Sequence, residues 1–141
     1  MTTLLTLNAN QNIPSGGAGS VISWDVVVSD SVGAYNSLQP TRITVPSGVT
    51  QMRMTSNAVF TTNSSGVRQV YSRLNGSLYP TGYLSQTAVP VGGGSSTSMS
   101  NIGPWIPVTA GDYWELVAYQ NSGVTLGFGV SKASWFQAEW K

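Results

Sequence analysis

Residues 42–60 read RITVPSGVTQMRMTSNAVF, and this stretch decides the fold class. Ile43 and Val45 share one face of a short extended run, which Pro46-Ser47-Gly48 stops. Proline presets the backbone angle of a turn there, and glycine supplies the conformation that closes it. From Val49 to Thr62, Met52, Met54, Ala58 and Phe60 then fall on roughly one parity. Alternation with a period of two marks a half-buried strand, whereas a helix repeats its apolar residues about every 3.6 positions.

The same pattern extends in both directions. Toward the N-terminus, Leu4–Leu7 is predicted as a strand with a polar continuation to Asn12, ending at Ile13-Pro14-Ser15-Gly16-Gly17. Ile22, Trp24, Val26 and Val28 alternate with Ser23, Asp25, Val27 and Ser29 as a second strand, and the loop that follows runs to Pro40. Toward the C-terminus, Val67–Leu74 leads into Asn75-Gly76, the strongest hairpin signal in the chain, with Leu78, Tyr79 and Tyr83 on the return strand or its loop. Gly92–Ser100 (GGGSSTSMS) carries little apolar area and is predicted as a flexible surface loop. Trp105–Val108, Tyr113–Gln120, Val124–Val130 and Ser134–Trp140 complete the set, the last opposing Phe136, Ala138 and Trp140 to Trp135, Gln137 and Glu139.

The expectation is a single all-β domain over residues 1–141, a jelly-roll sandwich of two antiparallel sheets with about eight to ten strands. Residues 1–20 form an N-terminal strand and loop that would serve as an arm.

Composition narrows function by exclusion. Hydrophobic residues make up 40% of the 141 positions, enough for one core, while charged residues are only 8%, about a third of the usual share. Ser, Thr, Asn, Gln and Gly carry the polar balance. Net charge is +1, and Arg42, Arg53, Arg68, Arg73, Lys132 and Lys141 are scattered, so no nucleic-acid partner is expected. The absence of Cys and His excludes disulfides, thiol chemistry, a Ser-His-Asp triad and the common zinc or iron sites. No cofactor or metal is expected. The start, MTTLLTLNANQ, lacks the basic flank and apolar run of a signal peptide, and no stretch reaches the roughly 18 apolar residues of a membrane span.

Four blocks, in order, resemble the jelly roll shared by complement globular heads and the tumour necrosis factor superfamily, in its phage or bacterial branch. They are ISWDVVVSD with GAYN (Ile22–Asp30, Gly33–Asn36), Arg42–Phe60, RLNGSLY (Arg73–Tyr79), and VTAGDYWELVAYQNSG (Val108–Gly123) with the closing WFQAEW (Trp135–Trp140). Gln51 or Met52 stands where the family has an aromatic residue, and acidic calcium-binding clusters are missing. The resemblance implies a homotrimer packed through one sheet. It also implies a non-enzymatic protein of a bacteriophage virion surface, either a capsid decoration or head fibre or the adhesive tip of a tail fibre. Its partners would be other virion proteins and a host-surface glycan. It would be made in the host cytoplasm and leave without a signal peptide.

Five acids limit any hydrolytic chemistry. Asp112 is expected to accept backbone N–H groups of its own turn. Asp25 is expected to serve as a structural or intersubunit hydrogen-bonding residue. Asp25 with Glu115 is the carboxylate pair a glycosidase would need. Trp24, Phe60, Phe128, Phe136 and Trp140 sit at core parity. If Trp114 and Leu116 face inward, Tyr113, Glu115, Val117 and Tyr119 form an outward row that a monomer would leave as an apolar patch. Tyr113, Glu115, Val117, Tyr119 and Trp135 are therefore the expected trimer interface. Loop residues Tyr35, Tyr79 and Tyr83 are the expected sugar-stacking set, the alternative being a stand-alone, lectin-like carbohydrate-binding module recognising host glycans.

Overall fold

Alternating parity makes strands here, and the strands pair into two antiparallel sheets packed face to face. The computed structural model describes residues 1–78, 85–90 and 94–141. Among these residues there is no helix. The strands are β1 (Thr2–Thr6), β2 (Gln11–Ile13), β3 (Ser20–Val21), β4 (Val26–Asp30), β5 (Ile43–Thr44), β6 (Gln51–Phe60) and β7 (Arg68–Leu74). They continue with β8 (Ser77–Leu78), β9 (Ser85–Ala88), β10 (Thr97–Pro107), β11 (Tyr113–Gln120), β12 (Leu126–Phe128) and β13 (Trp135–Trp140).

A seven-stranded sheet runs β2-β12-β6-β13-β1-β4, with β10 along the other edge of β6. A six-stranded sheet runs β3-β11-β7-β8, with β5 also on β11 and β9 also on β7. The chain crosses between the layers repeatedly, as in a jelly roll. Thus β6, β10 and β13 belong to one sheet, and β7, β9 and β11 to the other.

The core lies between the layers. Met52, Met54, Ala58 and Phe60 of β6 and Phe136, Ala138 and Trp140 of β13 meet Trp114, Leu116 and Ala118 of β11 and Val70 of β7. Trp24 stacks on Phe136 with ring centroids 6.1 Å apart, and Phe60 meets Phe128 edge-on at 5.3 Å. All five aromatics placed at core parity by sequence are buried.

Two segments differ from expectation. The Ile22–Ser29 strand is interrupted, because residues 22–25 carry the chain from one sheet to the other. Ile22 donates its N–H to Leu116 of the six-stranded sheet, Trp24 to Pro40, and Asp25 accepts from Asn8 N–H at 2.7 Å. The Gly/Ser tract is not a loop throughout. Thr97–Ser100 opens β10, with Thr97 and Met99 buried and Ser98 and Ser100 exposed, so a single methionine anchors a strand that composition hides. Residues 91–93 lie outside the described residues.

Asp30 ties the β4 end together. Its carboxylate accepts from the Thr3 hydroxyl at 2.8 Å and from Ala34 and Tyr35 N–H at 3.0 Å each. Burial pushes this carboxyl upward, but the donors, backbone Tyr35 foremost, outweigh it and leave the pKa below the ordinary 3.8. A carboxyl with a lowered folded pKa contributes stability that is fully present above its unfolded value and lost as pH falls through the folded one. Unfolding followed from about pH 6 down to about pH 2 should therefore lose stability below the ordinary aspartate range. Asp30→Asn should flatten that part of the profile, and an unchanged profile would remove the assigned role.

Candidate functional site

The outer face of the six-stranded sheet carries the row expected to lie open. The parity is as read: Trp114, Leu116 and Ala118 enter the core, and Tyr113, Glu115, Val117 and Tyr119 point away from it. The row is nevertheless covered within a single chain, which corrects the premise that only a neighbouring copy would bury it. Glu115 is 5% exposed, gripped by Arg73 Nη2 at 2.8 Å, the Thr41 hydroxyl at 3.1 Å and Arg42 Nε at 3.6 Å. The Arg42 guanidinium also lies 3.8 Å over the Tyr113 ring. Val117 is 1% exposed because the chain passes over it at Gly19, so closely that a Cβ there would stand 2.9 Å from Val117 Cγ1. The Tyr71 hydroxyl pins this crossing segment by donating to Ala18 O at 2.7 Å. Tyr113 and Tyr119 stay half-buried.

Trp135 does not join that row. It belongs to β13 in the seven-stranded sheet, so the five expected interface residues form two surfaces on opposite sides of the sandwich. The outer face of the seven-stranded sheet is the more open one. Strand register places Ile102, Thr55, Gln137, Leu4 and Ser29 in one line across it, and Ser100, Asn57, Trp135, Thr6 and Val26 in the next. A groove of about 450 Å³ opens there between Leu4, Thr6, Val28, Lys132, Trp135 and Gln137. Val28 is 58% and Ile102 78% exposed, so both present apolar surface to solvent.

Two features frame this face. At one end Trp105 meets Lys141 Nζ at 3.9 Å and the Arg53 guanidinium at 5.2 Å, while Arg53 Nη2 sits 2.7 and 2.8 Å from the two Glu139 oxygens. Near the groove, Val130, Ser131 and Lys132 hold φ of 38°, 53° and 67°, a left-handed run costing roughly 1–2 kcal/mol per residue. Asn10 Oδ1 accepts Val130 N–H at 2.6 Å and Thr6 bonds Lys132 O at 3.3 Å, which holds the turn so that Lys132 stands at the groove. Neither feature has a local sequence signal, since both depend on which strands become neighbours.

Tyr35, expected to stack on a sugar, has its hydroxyl committed to Trp24 O at 2.6 Å, and its ring is half-buried. Burial, and after it the charge of Asp25, pushes the phenol above the usual tyrosine range. Tyr79 and Tyr83 lie outside the described residues. All five carboxylates have structural partners. Asp25 accepts from Asn8 and Asp30 from β1 and its own loop; Glu115 and Glu139 hold arginines. Asp112 accepts the side-chain amide of Asn75 at 2.9 Å, not the backbone N–H groups of its turn, because the Asn75 hairpin folds onto it. Among the described residues no three acidic side chains gather in one place.

No protein-family model matches the chain, and no curated protein matches it in sequence. The outer face of the seven-stranded sheet thus combines the half-buried Trp135, the exposed Val28 and Ile102, and the cations Lys132, Lys141 and Arg53, the last paired with Glu139.

Proposed function

We propose that the chain is a non-enzymatic assembly and binding module of a virion surface, working as a homotrimer. The outer face of the seven-stranded sheet would be turned toward the neighbouring copies. The observation that carries this reading is the groove of about 450 Å³ lined by Leu4, Val28 and the half-buried Trp135, with Val28 and Ile102 exposed on the same sheet face. A soluble protein with only 8% charged residues has few groups to keep such a surface wetted, and monomers seldom leave one uncovered. The sheet face, not the outward row of β11, is the interface on this reading, because that row is already covered by its own chain.

The non-enzymatic part is supported by the commitment of every carboxylate to a structural bond and by the lack of His and Cys. The virion part is supported by the four motif blocks and the Ser/Thr/Asn-rich composition, with a capsid decoration or head fibre and a tail-fibre tip as its two forms. Trp135→Glu places a charge in the centre of the proposed contact. It should reduce the solution mass to that of one chain while leaving the thermal transition cooperative. Imaging particles with and without the protein should show three-fold density on capsid or tail. A Trp135→Glu variant that keeps the parent mass, or particles that never carry the chain, would contradict the proposal.

A further inference from the structure

Asn75-Gly76 and Gly111-Asp112, two turns far apart in sequence, are fastened to each other. Asn75 and Gly76 hold φ of 50° and 77° at the corner of the β7–β8 hairpin, where Leu74 pairs with Ser77. This mirror-image turn suits Asn and Gly because both tolerate left-handed backbone. Asn75 Oδ1 accepts Tyr113 N–H at 2.9 Å, and Asn75 Nδ2 donates to Asp112 Oδ1 at 2.9 Å. A backbone N–H only donates and a carboxylate only accepts, so the amide has one permitted orientation. A third bond, Asn75 N–H to Tyr113 O at 2.9 Å, completes the latch.

We propose that Asn75 is a site of spontaneous deamidation and that its conversion releases the β7–β8 hairpin from the Gly111-Asp112 turn. It is the one Asn-Gly step in the sequence, and both residues are exposed. Glycine leaves its own amide nitrogen unshielded by a side chain. The Gly76 nitrogen gives its proton to solvent base and attacks Asn75 Cγ. The N–Cγ bond forms, the Cγ–Nδ2 bond breaks, and Nδ2 leaves as ammonia. Water then opens the imide at either carbonyl, giving an aspartyl or isoaspartyl residue. The net change is amide plus water to carboxylate plus ammonium. Once it occurs, an acceptor oxygen replaces the donor that faced Asp112, and two like charges meet at hydrogen-bonding distance. The latch does not re-form, which makes the change one-way.

Peptide mapping of the native protein held at mildly alkaline pH tests the site, with Asn36-Ser37, Asn63-Ser64 and Asn121-Ser122 as internal comparisons. The amide-to-acid mass gain should accumulate at Asn75 ahead of these three. Asn75→Asp should lower Tm by about 3–6 °C. The double variant Asn75→Asp/Asp112→Asn should regain most of that loss, since the donor and acceptor are exchanged and the bond rebuilt. An Asn75 that converts more slowly than the Asn-Ser steps overturns the proposal. So does an Asn75→Asp variant that melts with the parent, or a double variant that melts no higher than Asn75→Asp.

Discussion

Arg68→Ala lowers the free energy of unfolding by about 3–5 kcal/mol, the largest single effect expected outside the aromatic core. Arg68 is 0% exposed, yet no ion pair reaches it among the described residues. Its guanidinium donates instead to three backbone carbonyls, Ser65 O at 2.9 Å, Asn63 O at 3.0 Å and Val67 O at 3.1 Å. Burial pulls its pKa below the usual arginine value, and the carbonyl dipoles are what keep the charge in place. Alanine removes these charge-assisted bonds, each worth roughly 1.5–3 kcal/mol, and leaves a cavity as well. Water reaching the exposed part of the loop returns some of the loss, so the total falls below the sum. Arg68→Lys keeps the charge but not the planar fork, and should lie between parent and Ala. Urea unfolding measures all three; an Arg68→Ala value within about 0.5 kcal/mol of the parent would show the cage to be incidental.

Gly66→Ala, in the same loop, should cost about 2–4 kcal/mol. Gly66 has φ of 71°, and a Cβ built there would lie 2.5 Å from both the backbone oxygen and the Oδ1 of Asn121. Neither atom can retreat freely, because Asn121 Oδ1 accepts Val67 N–H at 2.6 Å and Asn121 N–H bonds Val67 O at 3.3 Å. The left-handed backbone costs alanine roughly 1–2 kcal/mol, and relieving the contact adds the remainder. This loop carries the chain from β6 in one sheet to β7 in the other, so both substitutions act on one crossover. Arg68→Ala combined with Gly66→Ala should therefore lose less than the two losses added. Strict additivity in urea titrations would mean that the two residues hold different structures.

The contrast between β11 and the loop before β7 shows how far the sequence could be read. Parity alone placed Phe136 and Trp140 in the core and set Trp114 and Leu116 on the face opposite Tyr113, Glu115, Val117 and Tyr119, because neighbouring side chains on a strand must point to opposite faces. The Asn75-Gly76 corner was equally legible, since local sterics leave few residues able to occupy it. Parity says nothing about what covers an outward face. Glu115 and Val117 are buried by Arg42, Arg73 and the segment at Gly19, contacts set by how the sheets assemble. Arg68 escaped notice for a related reason: an arginine in a polar stretch reads as solvated until three carbonyls close on it. The short β9, SQTA, has no apolar parity to announce it and exists by pairing with Arg68–Tyr71 of β7. Trp135 was expected at the trimer interface, but the sheet it sits on depended on β13 pairing with β1 and β6.

Two outward faces with different fates give the functional proposal its shape. The six-stranded face satisfies itself with ion pairs and a returning segment. The seven-stranded face leaves Val28 and Ile102 exposed and Trp135 half-buried at a groove beside a held left-handed turn. The molar mass of the unaltered protein in dilute neutral buffer, by light scattering, is the direct test of what closes that face. Three times the 14.9 kDa chain mass is predicted across a broad dilution series, and a particle of one chain mass throughout would contradict it.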